Sequence, residues 1–256
     1  NPVNEGVLIS GSVGATMDQI TVDDGRYGVR MGSAAGGKLA LTNVNLDNQS
    51  QDGIALSKTM TLDLTGTIQN AGNCGLKVLP SNNGDWAFDG LTVSTSTKGL
   101  CHNGAGTMSM SDTTMSGNTL DVMMSGSAQM DYLEGDVTES KVTTNGASKF
   151  TRLRALDVSV TADTSGVDGA PVKILDADNL VVDSGTTDSN GDVTDLSFIT
   201  WSKDSSGVVT PNLAGYQLVT IATIDYTSGS VIDARYAMNT ISLSDTSGNS
   251  ATADLT

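Results

Sequence analysis

Short apolar segments return at a nearly constant distance along the first part of the chain. Each segment alternates apolar and polar residues, as expected for a strand with one buried face. One series of segments begins at Leu39, Leu62, Trp86, Met108 and Ala128. A second, interleaved series begins at Gly28, Gly53, Gly75, Gly99 and Thr119. The steps are 23, 24, 22 and 20 residues in the first series and 25, 22, 24 and 20 in the second, which predicts one structural repeat per period.

Turn-forming residues separate these segments, for example Asp23-Asp24-Gly25 and Asn103-Gly104. One coil cannot bury its apolar face alone, whereas stacked coils can, with their strands about 4.8 Å apart. We therefore expect residues 7–156 to form a parallel β-helix of six or seven coils. One predicted inward column consists of Leu39, Leu62, Trp86, Met108 and Ala128. A second consists of Ile54, Leu76, Leu100 and Leu120.

The repeat ends near residue 156 and a different pattern begins. Strands such as 171–176, 180–183 and 219–224 are separated by Asp, Asn and Gly turns, a spacing typical of an antiparallel β-sandwich. The charge changes too: residues 1–156 carry 10 basic and 15 acidic side chains, net −5, and residues 157–256 carry 3 and 14, net −11. The sequence therefore predicts an all-β protein with a β-helix domain, 1–156, and a sandwich domain, 157–256.

Two parts of the chain resemble known families. Residues 7–156 resemble the right-handed parallel β-helix superfamily of pectate lyases, phage tailspikes and many surface proteins. Gly-Ala-Pro-Val at 169–172, followed by Thr-Thr-Asp-Ser-Asn-Gly at 186–191, resembles the carboxypeptidase-regulatory-like, or transthyretin-like, sandwich. This order of domains is similar to that of secreted and surface-layer-associated proteins of archaea and bacteria. The resemblance implies an architecture and a place at the cell surface rather than an activity.

Composition restricts the partners. The 256 residues carry a net charge of −16 and no cluster of Lys and Arg, so nucleic acid is not an expected partner. No apolar run approaches the length of a membrane span. An acidic surface keeps a protein soluble and self-repelling. Together with only two cysteines, this favours an extracellular or cell-surface location.

Two covalent modifications are predicted. Cys74 and Cys101 are one coil apart and lie in equivalent turns, which predicts a disulfide between them. The glycines that align these turns, Gly75 and Gly99, put the two cysteines three positions out of register, which argues against the bond. The sequon Asn48-Gln49-Ser50 makes Asn48 a candidate for glycosylation.

Carbohydrate chemistry on a β-helix would use a pair of outward carboxylates. The candidates are Asp47, Asp52 and Asp89. Gln51-Asp52 resembles part of the aspartate motif of polygalacturonase-like enzymes, but Gly53 replaces the second aspartate. Arg152-Leu153-Arg154 resembles their substrate-binding Arg-x-Lys, also imperfectly. We expect these residues to be turn and surface residues, and we predict no catalytic residue.

Metal binding is a second candidate chemistry. Asp188, Asn190 and Asp192, with Asp195 nearby, place several hard oxygen ligands together and make calcium a possible ion; no other cofactor is expected. The alternative is a hairpin turn, because Asn190-Gly191 is a turn signal. A site with several histidines is excluded, since His102 is the only histidine; it is expected to be exposed in a turn.

The methionine-rich stretch around Met108, Met110 and Met130 falls on the inward register and predicts core packing rather than copper binding. Trp201 leaves open whether it is a core residue or a platform for a sugar ring.

The function expected from these observations is structural. The chain would serve as an extracellular or cell-surface protein that assembles with other subunits into a larger surface complex, or that binds a protein or glycan partner. The alternative is a carbohydrate-active enzyme, a glycoside hydrolase or a polysaccharide lyase. The first coil has no visible cap, so we expect the native chain to continue upstream of Asn1 or another subunit to cover this coil.

Overall fold

The computed structural model describes residues 5–10, 15–31, 37–56, 60–78, 84–85, 88, 90–211, 213–225, 232–241, 243–245 and 248–255. The chain divides into two compact units, residues 1–152 with 202–209 and residues 153–201 with 210–256. The boundary predicted from the sequence, 156/157, and the division of the two units, 152/153, both lie inside one continuous strand, 149–162.

Nearly all regular structure is β. The strands in chain order are β1 (Glu5–Ile9), β2 (Ala15–Asp18), β3 (Thr21–Asp23), β4 (Tyr27–Met31), β5 (Gly37–Asp47), β6 (Ile54–Leu56), β7 (Met60–Gln69), β8 (Cys74–Val78), β9 (Gly84–Asp85), β10 (Leu91–Ser94), β11 (Lys98–Ser111), β12 (Thr113–Ser116), β13 (Leu120–Leu133), β14 (Val142–Thr144), β15 (Lys149–Ala162), β16 (Ser165–Gly166), β17 (Pro171–Leu175), β18 (Val181–Thr186), β19 (Asp192–Asp204), β20 (Gly207–Val209), β21 (Tyr216–Asp225), β22 (Ile232–Ile241) and β23 (Asn249–Asp254). Two short 3-10 helices cover Glu139–Lys141 and Leu213–Gly215. Among the described residues, no helix has the length and apolarity needed to cross a membrane.

The first unit is a parallel β-solenoid of about six turns, which confirms the predicted β-helix. One of its parallel sheets runs in the order β1-β4-β6-β8-β11-β13, and β14 pairs with β13. The other runs β12-β10-β7-β5-β2, and β3 also pairs with β5. Each strand therefore pairs with its equivalent one coil away, as the repeat period requires.

A column of apolar side chains runs through seven successive strands of the first sheet. The strand register aligns Val7, Val29, Ile54, Leu76, Leu100, Val122 and Val142. All of them except Val7 are at most 1% exposed. The predicted column was correct for Ile54, Leu76 and Leu100. It was wrong for Leu120, which is half-buried and pairs with Lys98, two positions before Val122.

The other predicted column is also displaced by two residues at its end. Leu39 pairs with Leu62 as expected, but Met108 pairs with Met130, and Ala128 pairs with Gly106. β11 and β13 are continuous strands of 14 residues. Residues that hold the same place in the sequence repeat are therefore not the residues that pair along these two strands. Met108, Met110 and Met130 are buried, which confirms their assignment to the core. Trp86 lies outside the described residues.

Backbone conformation explains why Asn, Asp and Gly recur at the turns. One corner of the solenoid is a stack of left-handed residues with φ values of 50° to 65°. The stack consists of Asp24, Asn48, Asn70, Thr95 and Gly117. Asn, Asp and Gly adopt this conformation most readily, whereas a β-branched residue such as Thr95 adopts it at a cost. A different corner needs glycine for space: a β-carbon at Gly75 would overlap the side chain of Val93.

The second unit contains the separate antiparallel sheet that the fold prediction requires. Its strand order is β18-β17-β21-β22. Side chains of this sheet share one core with residues of β15, β19 and β23, including Val158, Phe198 and Leu218. The pairing of β15 with β23 is parallel, from Leu156 with Asn249 to Thr161 with Asp254, which a purely antiparallel sandwich would not contain.

Candidate functional site

The first residues of three neighbouring strands meet at one corner of the solenoid. Register pairs Cys74 of β8 with Lys98 of β11, and Lys77 with Cys101. Asp52 precedes β6, whose Ile54 pairs with Leu76. We call the resulting group of side chains the Asp52 cluster; its members are Asp52, Asn73, Cys74, Lys77, Lys98 and Cys101.

The carboxylate of Asp52 is buried and accepts three hydrogen bonds. Its Oδ1 accepts from the side-chain amide of Asn73 at 2.7 Å and from the backbone N–H of Cys74 at 3.2 Å. Its Oδ2 lies 3.3 Å from Nζ of Lys77. The Asp52 side chain is 1% exposed, and a buried charge is tolerated only where such donors surround it. The Asp52 carboxylate therefore joins its own coil to the next one.

Lys98 extends the same network by one further coil. Its Nζ donates to Oδ1 of Asn73 at 2.9 Å, and its backbone N–H donates to the carbonyl of Asn73 at 2.8 Å. A continuous chain of polar contacts thus runs from Lys98 through Asn73 to Asp52, crossing three coils. Of these three residues, only Asp52 was a candidate from the sequence. The available signal was spacing, since Asp52 and Lys77, like Asn73 and Lys98, are 25 residues apart.

The two cysteines of the cluster form a disulfide in the structure. Cys74 and Cys101 are buried, and their Cα atoms are 6.0 Å apart. The bond runs diagonally, because Cys74 pairs with Lys98 rather than with Cys101. The offset of three positions noted in the sequence is therefore compatible with a bridge between neighbouring strands. A disulfide closing a loop of this length stabilises a fold by about 3–4 kcal/mol.

Asp47 has the same coil-joining role as Asp52. Its two carboxylate oxygens accept hydrogen bonds from the side-chain amides of Asn70 and Gln69, each at 2.8 Å. These bonds, led by that of Asn70, lower the pKa of Asp47. Asp18 is held in the same way by Thr42 and Asn43. Asp89, the third candidate for carbohydrate chemistry, lies outside the described residues.

The two candidate substrate arginines are buried rather than exposed. Arg152 donates to the carbonyl of Gly135, and its guanidinium lies 5.7 Å from the ring centre of Tyr132. Arg154 donates to the carbonyl of Asp245 at 3.1 Å and forms an ion pair with its carboxylate at 3.4 Å. The expectation that they are surface residues was therefore wrong. Both arginines serve internal packing, and neither is presented to a sugar.

His102 is buried in β11, so the expectation of an exposed turn histidine was wrong. It pairs with Val78 and Met124 in an inward column, because the strand continues through the Asn103-Gly104 pair that resembled a turn. Burial is the main cause that lowers the pKa of His102, and a backbone hydrogen bond with Gly106 acts to raise it. The net shift of this pKa is downward, so the imidazole is neutral at physiological pH.

The candidate calcium residues form a hairpin turn. Oδ1 of Asp188 accepts from the backbone N–H groups of Asn190 at 2.8 Å and Asp192 at 3.0 Å. These bonds lower the pKa of Asp188, that of Asp192 most. No group of three His, Cys, Asp or Glu side chains suited to a metal ion occurs within the described ranges. Calcium binding by Asp188, Asn190 and Asp192 stays a prediction.

The remaining candidates fall in two environments. Asn48 is exposed, and its side-chain amide donates to Asp23 at 3.4 Å; its glycosylation stays a prediction. Trp201 is 5% exposed, which places it in the core rather than on a sugar-binding surface.

A cavity of about 440 Å³ lies at the first coil and is lined by Glu5, Gly6, Thr21, Val22, Asp23, Asp24 and Gly25.

No protein-family model, curated protein or solved structure matches this chain. The assignment of the parallel solenoid therefore depends on the strand pairing alone. Membership of the pectate-lyase superfamily and of the carboxypeptidase-regulatory-like sandwiches stays a prediction.

Proposed function

We propose that this chain is a structural and interaction protein of the extracellular space or cell surface, and not an enzyme. Its solenoid would serve as a rigid platform that assembles with further copies or carries a protein or glycan partner. The observation on which this proposal rests is that polar side chains at the turns bind the neighbouring coil. Asp18, Asp47 and Asp52 accept hydrogen bonds from the next coil, so each of these carboxylates joins two neighbouring coils.

The disulfide supports the proposed location. Stable disulfides form in oxidising compartments and are rare in the cytosol. The Cys74–Cys101 bond joins two adjacent coils that the parallel sheet already pairs, so it strengthens the stack without serving any visible reaction. The net charge of −16 is in keeping with a hydrated outer surface.

The first coil offers the surface for assembly. Strand β1 ends the order of the first sheet and pairs, among the described residues, only with β4. Leu8 on this strand is 55% exposed. An edge strand presents unpaired backbone groups that template the addition of another strand. A second copy of this chain would continue the stack there.

Light scattering at low and high salt tests this proposal. We expect a mass above the 26.2 kDa of the single chain, increasing with salt as the acidic surfaces are screened. Leu8→Lys, which puts a charge on the edge strand, should restore the single-chain mass. The control Val209→Lys changes an exposed residue of the β20 hairpin and should assemble like the parent. A single-chain mass for the parent at every salt concentration would contradict assembly through this edge.

One observation favours the alternative of a carbohydrate-active enzyme. Glu5, Asp23 and Asp24 place three carboxylates around the cavity of the first coil. Release of reducing sugar ends from a panel of neutral and acidic polysaccharides tests it. We expect no release above that of the Asp23→Asn variant. Release that the parent shows and this variant lacks would replace the structural proposal.

A further inference from the structure

We propose that Lys98 and Asn73 join through an intramolecular isopeptide bond, with Asp52 as the proton carrier. The Nζ atom of Lys98 lies 2.9 Å from Oδ1 of Asn73, and Nδ2 of Asn73 lies 2.7 Å from Oδ1 of Asp52. An amine, a carboxamide and a buried carboxylate therefore stand in a row. This inference concerns a covalent modification and does not depend on the proposed function.

The fold holds the two reacting groups together. Lys98 donates its backbone N–H to the carbonyl of Asn73 at 2.8 Å, and Lys98 pairs in register with Cys74, the residue after Asn73. The Cys74–Cys101 disulfide ties the same two strands. Groups held in this way react as if at very high concentration, so even a slow reaction reaches completion once in the life of the protein.

The reaction balances without a co-reactant. The ammonium of Lys98 gives a proton to Asp52, and the neutral amine attacks Cγ of Asn73. The bond from Cγ to Nδ2 then breaks, while the proton held by Asp52 and one of the two protons on the amine pass to the departing nitrogen; the other amine proton stays on the new amide. One ammonium ion leaves, and a secondary amide remains between the two side chains.

The position of Asp52 suits this role. It touches the nitrogen that leaves, so a proton on its carboxyl group needs no further movement to reach that nitrogen. Nζ of Lys77 lies 3.3 Å from the other carboxylate oxygen, Oδ2, and takes no part in the proton transfer.

Lys77 and Asp52 could be considered as the reacting pair instead. That reaction would require attack on a carboxylate, which is a poorer electrophile than a carboxamide, and it would release water. The two reactions therefore differ in the mass that is lost. We assign the bond to Lys98 and Asn73.

Intact mass spectrometry of the denatured full chain tests the proposal, after reduction and again after incubation at mildly alkaline pH, where more of the lysine is neutral. We expect a mass below that of the sequence by one ammonia. Proteolysis should give one branched peptide that contains both Asn73 and Lys98. Lys98→Met and Asp52→Asn should each retain the full mass, whereas Lys77→Met should still lose ammonia.

Three results would overturn the proposal. The parent chain could keep its full mass after incubation, or it could lose water, which would indicate a bond between Lys77 and Asp52. It could also lose ammonia equally in the Lys98→Met variant, which would indicate cyclisation of an asparagine on its own backbone. The measurement on the parent chain decides the question even where a variant fails to fold.

Discussion

Leu76 and Leu120 test the coil register, because the repeat pattern treats them as equivalent and the structure does not. Leu76 is fully buried between Ile54 and Leu100 of the adjacent coils. Leu120 is half-buried and pairs with Lys98. Neighbouring coils are held about 4.8 Å apart by backbone hydrogen bonds, so a cavity at Leu76 cannot close by collapse. Leu76→Ala should therefore cost about 3–5 kcal/mol, at the upper part of the range for such substitutions.

Leu120→Ala is the matched control. It removes the same atoms from a half-buried position, so we expect a loss of about 1 kcal/mol. Guanidinium unfolding followed by circular dichroism measures both changes as shifts of the midpoint at an unchanged slope. Equal losses for the two variants would show that the register of β11 with β13 is wrong.

Three further substitutions test the roles of single residues. Thr95→Gly, at an exposed left-handed position with φ of 50°, should raise the unfolding free energy by about 1 kcal/mol, and a decrease would contradict the stacked corner. The pKa of Asp47 is lowered in the folded state, so its contribution to stability is complete above the ordinary value of 3.8 and is lost as the pH falls through the folded value. The stability of Asp47→Asn should therefore depend less on pH in the acid range. An unchanged dependence would argue against the bonds from Gln69 and Asn70. The pKa of His102 is lowered too, but a histidine is charged when protonated, so stability should fall as the pH drops below about 6.5. His102→Leu should remove that dependence, and an unchanged loss of stability in this pH range would show that another group is responsible.

The sequence was sufficient to predict the solenoid because a strand with one buried face leaves a periodic trace. The column through Ile54, Leu76 and Leu100 follows directly from that trace. The displacement at Leu120 could not be predicted, because spacing in the chain does not show where a strand bends and continues. The two compact units divide inside β15, the strand in which the sequence repeat ends.

The candidate site was predicted only in part. The disulfide pair could be proposed because two cysteines one coil apart leave few alternatives. The surroundings of Asp52 could not, because a lysine, an asparagine and an aspartate are ordinary surface residues until the register places them together. His102 was misjudged for the opposite reason: Asn-Gly is a strong turn signal, and here the strand runs through it.

We propose above that this chain is a structural protein outside the cell, whose coils are joined by groups at their turns. Peptide mapping under non-reducing conditions, on chain recovered separately from the surface, secreted and cytoplasmic fractions of its source, tests that claim most directly. We predict that the chain is found in the surface or secreted fraction, with one peptide pair linked through Cys74 and Cys101. Recovery from the cytoplasmic fraction alone, with both thiols free, would contradict the account.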